Sequence, residues 1–573
     1  MPTLTFNTYY RYADLTAILQ DFAAQFPALC KLSSIGKSYE GRDIWCVTLT
    51  NTATGPDADK PAFWVDANIH ATEVSPASCA LYAIHKILNG YGQDAQITRL
   101  LDTRTLYVAP RMNPDGAELF LDPERHRSVR SSVRPYPRPE PQDGLDESDV
   151  DGDGRILAMR IKDPNGPWKA HPDDSRIMIP RSPDDSNDGG PYYRLLPEGM
   201  IRNYDGVIVK IAPRLEGLDL NRNFPLEWAF ESEQKGAGPY PTSEPEVRSV
   251  VQFIVEHPNI TGGITFHTYS GVYLRPYGTH PDEHFATNDL WTFQEIGKHA
   301  MRLTGYPAVS VFHDFKYHPK ETIKGAFDDW MYDHLGVYAW TCELWSPQRE
   351  AGIDLSKKPN GAGSQYIEWY RDHPVEDDLK MMKWNDEKLE GKGFVTWYPF
   401  NHPQLGAVEL GGWHDEYCWR NPPPHLLEKE IAPHADFILF HALISPLLEF
   451  KEVTVTPLGE GACHIRTVIQ NTGWLSTSIT ARARETHARL ARPLEVEITL
   501  PEGAELVSGQ RRTELGQLEG RALKNTIYWQ ADPTTDRAKA EWVVRAPAGS
   551  SVTLTASHQR AGKITKVITL EKA

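Results

Sequence analysis

Two short strings, H-A-T-E at residues 70–73 and F-H-T-Y at residues 266–269, carry the residue types that a catalytic metal needs. Each closes an apolar, strand-like run, residues 63–69 and 260–266. Together His70, Glu73 and His267 offer two imidazoles and one carboxylate, the ligand set of a zinc ion that keeps a position open for water. A spacing of three lets His70 and Glu73 converge on one ion while the backbone turns from strand to helix. His267 reaches the same point if the two strands share a sheet, because open α/β folds gather ligands at the carboxyl ends of their strands. Zinc so held lowers the pKa of its water towards about 7, which is hydrolytic chemistry. H-x-x-E alone is common, and a lone His after a strand more often makes a structural hydrogen bond. Weight must come from other elements of the chain.

The first stretch reads as α/β. Leu15, Ile18, Leu19, Phe22 and Phe26 follow helical spacing, with Asp14 as the expected cap and Pro27 as the stop. Residues 44–49 and 63–69 read as buried strands. A helix is expected directly after H-A-T-E, with Ser75 as N-cap, Pro76 at N1 and Asn89-Gly90 as its end. A second is expected from the capping-box spacing of Ser243 and Glu246 to about Glu256. The strand 260–266 follows it, and 337–342 reads as another strand ending at Glu343. Strands alternating with helices imply a mixed, mostly parallel sheet flanked by helices.

Residues from about 117 to 216 break that rhythm with Pro, Asp, Gly and Arg, and read as a long insertion over one face, near the active site. Within it Asp149, Asp151 and Asp153, followed by Gly154, resemble the front half of an EF-hand-type calcium loop. The twelfth position is Arg160, so the bidentate Glu is missing; Asp146, Glu147 or Asp163 could substitute. The alternative is a solvated acidic turn. After about Phe450, short alternating runs such as 464–470 and 552–556, with turn signals at Asn471-Thr472-Gly473 and Ala561-Gly562, imply an antiparallel β-sandwich. The expected division is residues 1–450 for catalysis and 451–573 for the sandwich, with a structural role favoured for the latter.

At 573 residues the chain supports more than one domain and a large core. Its 16 Trp and 24 Tyr argue against disorder. No apolar run is long enough to span a membrane. A net charge of −17 makes nucleic acid a poor partner. Six Cys without C-x-x-C spacing suggest reduced, buried thiols. No signal peptide is evident, so the cytoplasm is the expected compartment. Oligomeric state is not legible.

Further strings appear in order: N-P-D-G at 113–116, L-D-L-N-R-N-F at 218–224, D-D-W-M-Y at 328–332 and W-T-C-E-L at 340–344. With them, residues of roughly 9–450 resemble the zinc metallocarboxypeptidases, the carboxypeptidase A-like family. Carboxypeptidase A is itself a His₂Glu zinc enzyme, so the ligand set follows from the resemblance. The resemblance implies His70, Glu73 and His267 as zinc ligands and Glu343 as general base. It implies Asn221 and Arg222 as the anchor for a peptide's free C-terminal carboxylate, which a guanidinium fork matches bidentately. Thr268 and Tyr269 are expected to touch substrate. An Arg beside the oxyanion comes from the string holding Arg125, Arg127, Arg130 and Arg134; Arg130 is favoured and Arg127 is the alternative.

Three departures from the animal enzymes are expected. Thr72 stands where they have a second arginine. Glu321 stands where their mobile tyrosine is expected, and Tyr317 is proposed instead. An inhibitory segment before the catalytic part is not expected, and so neither is a zymogen. Asp328 falls where relatives specific for basic residues carry an Asp, implying a preference for C-terminal Lys or Arg; a helix cap or surface role weighs equally. The function implied is removal of C-terminal residues from peptides. Same-fold hydrolysis of peptidoglycan-type or side-chain-linked amides, and a catalytically inactive binding protein, are the alternatives.

Overall fold

A computed structural model describes residues 4–123, 127–186, 188–318, 320–356, 365–370, 372–485, 491–523, 532–547 and 549–570. Its centre is a sheet of eight strands in the order Cys30–Lys37, Asp43–Leu49, Thr105–Ala109, Ala62–Ala67, Ile260–Thr268, Tyr338–Leu344, Val272–Arg275, Ala308–Ser310. From Thr105–Ala109 to Tyr338–Leu344 the strands run parallel. Antiparallel pairs flank this middle. Every residue of Ala62–Ala67, Ile260–Thr268 and Tyr338–Leu344 is buried. That is why these strands read as continuous apolar runs: helices cover both faces of a parallel sheet. Helix Ser75–Gly90 packs on this sheet and against Pro424–Leu443, which also contacts Thr287–Thr304. All six cysteines are buried and free. Among the described residues no helix is long and apolar enough to cross a membrane.

Helix starts differ from the local reading. The first helix is Tyr12–Gln25, so Asp14 lies in its first turn and not at its cap, while Phe26 is its C-cap. Helix Ser75–Gly90 has no cap from Ser75, whose hydroxyl is buried without a partner. The cap is supplied from far away: Asn421 Oδ1 accepts from Val74 N at 3.0 Å and from Ser75 N at 2.9 Å. The capping box of Ser243 and Glu246 does not form either. Helix Pro245–Glu256 starts after Glu244 with no side-chain cap, and Glu246 accepts instead from Tyr39 N at 2.9 Å.

The insertion is more ordered than its composition implied. It holds strands Ala158–Lys162, Trp168–Ala170, Met178–Pro180 and Tyr192–Pro197, which share a six-stranded sheet with Phe394–His402 and Gly406–Trp413. Glu409 lies opposite Arg160 in that sheet, and Arg160 Nε donates to the Glu409 carboxylate at 2.8 Å. Met159, Val408 and Leu410 help form a small separate core beneath it. The C-terminal part is a sandwich of two four-stranded antiparallel sheets with its own core, including Ile465, Val496, Trp542 and Leu554. Strand Ser551–His558 shows the alternating burial that such a sheet imposes.

Candidate active site

The site forms where three parallel strands end. After Ala62–Ala67 the backbone turns through Asn68, left-handed at φ 58, a conformation Asn tolerates better than most residues. Asn68 Nδ2 donates to His70 O at 2.8 Å, and Arg111 Nε donates to Asn68 Oδ1 at 3.0 Å. This turn leaves His70 and Glu73 pointing at the neighbouring strand end. There the register sets His267 opposite Glu343.

The three donors converge. His70 Nδ1 is 2.8 Å from Glu73 Oε1, His267 Nδ1 is 3.1 Å from His70 Nδ1, and His267 Nδ1 is 3.4 Å from Glu73 Oε2. Around a tetrahedral zinc with donors at about 2.0–2.2 Å, adjacent donors stand roughly 3.4 Å apart. The residue types and their spacing therefore fit zinc. All three side chains are buried. Burial alone would raise the Glu73 carboxyl, but His70 and His267 outweigh it and hold it well below the usual range. Burial lowers His267 to about 4, which keeps its imidazole neutral, the form that ligates metal.

A cleft opens beside these ligands, lined by Arg130, Asn221, Arg222, Tyr317, Asp328 and Glu343 among others. Arg222 is 7% exposed, and its Nη1 donates to Asn221 O at 2.7 Å. Asn221 is fixed by its Oδ1, which accepts from Phe327 N at 2.9 Å. Arg130 reaches Glu73 Oε1 at 3.3 Å. Glu343 Oε2 and Asp328 Oδ2 are buried with no hydrogen-bond partner among the described residues. Burial, then the charge of Glu73, raises the Glu343 carboxyl well above its ordinary value. Burial raises Asp328 to about 6.

The remaining expected residues take varied places. Arg127 turns away to pair with Glu216, and Arg134 pairs with Glu244. Arg125 lies outside the described residues. Thr268 gives its backbone N–H to Glu73 Oε2 at 3.0 Å, and its hydroxyl is buried with no partner among the described residues. Tyr269 packs edge-on to Tyr370. Thr72 is buried, and its carbonyl accepts from Asn421 Nδ2 at 2.8 Å. Glu321 is exposed.

Asp219 was not singled out by its type or spacing, yet it orders the site. Its Oδ1 lies 3.0 Å from His70 Nε2, and its Oδ2 accepts from Arg130 Nε at 2.9 Å. Burial would raise its carboxyl, but Arg130, Arg222 and His70 hold it well below the usual range. On the other imidazole, Thr265 Oγ1 is 3.3 Å from His267 Nε2 and donates to Asp66 Oδ1 at 2.5 Å. Such partners orient ligands and tune their basicity.

The acidic loop forms a second convergent trio, Asp149, Asp151 and Asp153. Its carboxylates already serve the loop. Asp149 accepts from Gly152 N at 2.7 Å and Gly154 N at 2.8 Å, Tyr398 donates to Asp151 at 2.5 Å, and Arg155 pairs with Asp153. The solvated-turn reading accounts for this geometry, and the expectation of calcium gains no support.

Residues 15–358 match the family model described as zinc carboxypeptidase, and residues 447–569 match a domain of unknown function (DUF8731). Carboxypeptidase A2 of Rattus norvegicus is 27% identical over 348 residues, 59% of this chain and 63% of its own length. Carboxypeptidase B of Astacus astacus is 25% identical over 350 residues, 60% of this chain and 88% of its own. Among solved structures, carboxypeptidase A from Helicoverpa armigera is 18% identical, over 66% of this chain and 73% of that one, with a TM-score of 0.39. The chain thus spans less than two thirds of the length of the rat relative. With well over half of its residues inside the family model, and a His-Glu-His cluster at the carboxyl edge of its sheet, the chain belongs to the zinc carboxypeptidase family.

Proposed function

We propose that this protein is a zinc-dependent exopeptidase that removes the C-terminal residue of peptides. The observation that supports it most is the composition of one cavity: His70 and His267, Glu343, Arg130, and the pair Asn221 and Arg222 line a single space. His70, Glu73 and His267 hold the metal. Zinc bound there supplies Lewis acidity and brings the pKa of a water towards about 7. Glu343, buried and with one oxygen unpartnered, takes the proton from the attacking water. Its place beside the ligands suits it to hold that proton and hand it to the leaving amine. Asn221 and Arg222 bind the free carboxylate of the chain end, which makes the reaction an exopeptidase's. Arg130 places a cation beside the carbonyl oxygen as that oxygen gains charge. Tyr317, at the cavity mouth and 40% exposed, closes over the bound chain end.

Asp328 sets the preference. A buried carboxylate with one oxygen unpartnered in the pocket favours a departing Lys or Arg through a charge pair, since leaving it without a cation is costly. A peptide library digested with the zinc-loaded protein and read by mass spectrometry tests the reading. Stepwise loss of C-terminal residues is expected, led by Lys and Arg. Cleavage confined to side-chain-linked or peptidoglycan-type amides would replace the peptidase reading. Zinc binding with no turnover of any amide would replace it with a binding protein.

A further inference from the structure

A turn at Leu335, Gly336 and Val337 joins helix Phe327–Leu335 to strand Tyr338–Leu344. Both arms run from that turn to the cavity. The helix carries Asp328 and Asp329 at its far end, about 10 Å away at 1.5 Å per residue. The strand carries Thr341 and Glu343, the latter about 20 Å away at 3.3 Å per residue.

The C-terminal part of the chain grips this turn. Arg560 is 3% exposed, and its Nη1 donates to Gly336 O at 3.3 Å and to Ser478 O at 3.1 Å. Its Nη2 donates to Leu335 O. Thr480 Oγ1 donates to Gly336 O at 2.8 Å. Gly336 is left-handed at φ 61, and a Cβ there would lie 2.5 Å from the Cβ of Ala483. Carbonyls that a helix leaves open at its C-terminus are thus met by donors from the sandwich side, and a buried cation sits at the helix's negative end.

Two further contacts reach the same arms. Arg482 Nη2 pairs with Asp333 at 2.9 Å and 3.0 Å. Asp333 Oδ1 also accepts from Tyr277 OH at 3.2 Å. The next residue, Gly278, lines the cavity and gives its N–H to Asp329 at 2.9 Å. Asp289, 2% exposed, accepts from Ala481 N at 2.8 Å and Arg482 N at 3.0 Å. The same carboxylate accepts from Tyr332 OH on the helix at 2.9 Å and Tyr338 OH on the strand at 3.2 Å.

We propose that the C-terminal β domain, through Arg560, Arg482 and the segment that docks on Asp289, is a positioning element for the pocket that receives the departing residue's side chain. It fixes the root from which Asp328 and Thr341 are held, and so sets how sharply the enzyme discriminates among chain ends. This rests on reading that cavity as the side-chain pocket. None of these residues touches substrate, and their effect is transmitted through the helix and the strand.

The test uses the full-length, zinc-loaded protein and the variants Arg560→Met, Arg560→Lys and Arg482→Gln. Peptides ending in the preferred residue and in Ala are compared, and amide exchange is followed along the chain. In Arg560→Met, kcat/KM for the preferred end falls by about 10-fold or more, mainly through KM, because small misplacements in a site are expensive. Release of Ala and zinc stoichiometry stay within about twofold, since both depend on groups nearer the metal. Arg560→Lys restores part of the loss by returning the cation to the helix end. Amides of 330–336 exchange faster, while those of helix Ser75–Gly90 do not change. Should Arg560→Met fail to fold, Arg482→Gln, whose side chain is 28% exposed, gives the same two readouts. Unchanged exchange at 330–336, or equal losses on both peptides, overturns the proposal. A wild-type enzyme with no chain-end preference overturns the pocket reading instead, and exchange measures the grip without any turnover.

Discussion

Replacing Asp219 by Asn keeps the shape of a side chain and removes the charge that holds two others in place. One oxygen lies 3.0 Å from His70 Nε2 and also accepts from Asn221 N at 2.9 Å; the other accepts from Arg130 Nε at 2.9 Å. An amide has one oxygen to offer. Keeping it towards His70 and Asn221 turns the amide nitrogen onto Arg130 Nε, donor against donor. Turning it towards Arg130 sets the same conflict against His70 and the Asn221 N–H. Either way one charge-assisted bond worth about 1.5–3 kcal/mol is lost. Partners of this kind change metal affinity by roughly 10–100-fold, or about 1.4–2.8 kcal/mol. Zinc affinity measured against a competing chromophoric chelator should therefore weaken by that factor. Turnover at saturating zinc should fall too, because Arg130 has lost its tether. A zinc affinity within about threefold of wild type, well below the range for such partners, would show that Asp219 does not orient His70.

Further outcomes are expected at other residues. Glu343→Gln should cut kcat by about 10²–10⁴-fold with zinc content unchanged, and an unaltered rate would remove it from the chemistry. Burial raises Asp328 to about 6, so the preference for C-terminal Lys or Arg over Leu should grow as pH rises through that value and be flat in Asp328→Asn. The sign for stability is opposite: a carboxyl raised in the folded state contributes most below its ordinary value, and the contribution is lost as pH rises through about 6. Asp328→Asn should thus be more stable than wild type at pH 8 in urea denaturation, and equal stability would argue against a buried, ionised carboxylate. Asn421→Ala removes the cap of helix Ser75–Gly90 and the clasp on Thr72 O, and should cost about 1–3 kcal/mol in the same assay. A loss under about 0.3 kcal/mol would mean that the helix start is held by packing alone.

What was legible in the chain was local chemistry on buried strands. His70, Glu73 and His267 each sit at the end of an apolar run, and in a parallel sheet covered on both faces such runs have few alternatives. Asp219 was hidden because a carboxylate two residues before Asn221 looks like an ordinary turn cap, and it does accept from Asn221 N. Only the fold shows that its second oxygen faces Arg130. The helix start at Ser75 is hidden for a related reason: local rules choose the nearest hydroxyl, whereas the real acceptor, Asn421, is 346 residues away from Ser75. Arg127 and Arg130 share a string, and no spacing separates them; Glu216 and Asp219 do. The insertion looked irregular because strands of three to six residues show little period, and one of them, Ala158–Lys162, pairs with Gly406–Trp413 far along the chain.

That shared sheet has a consequence for biosynthesis. Arg160 and Glu409 are 249 residues apart. At ribosomal rates of 5–20 residues per second, the edge of Ala158–Lys162 waits about 10–50 s before Gly406–Trp413 emerges to cover it. During that interval a nascent chain exposes open strand edges. Slowing translation between these two points should enlarge the share of chains lost to aggregation, while leaving the thermal stability of those that finish unchanged.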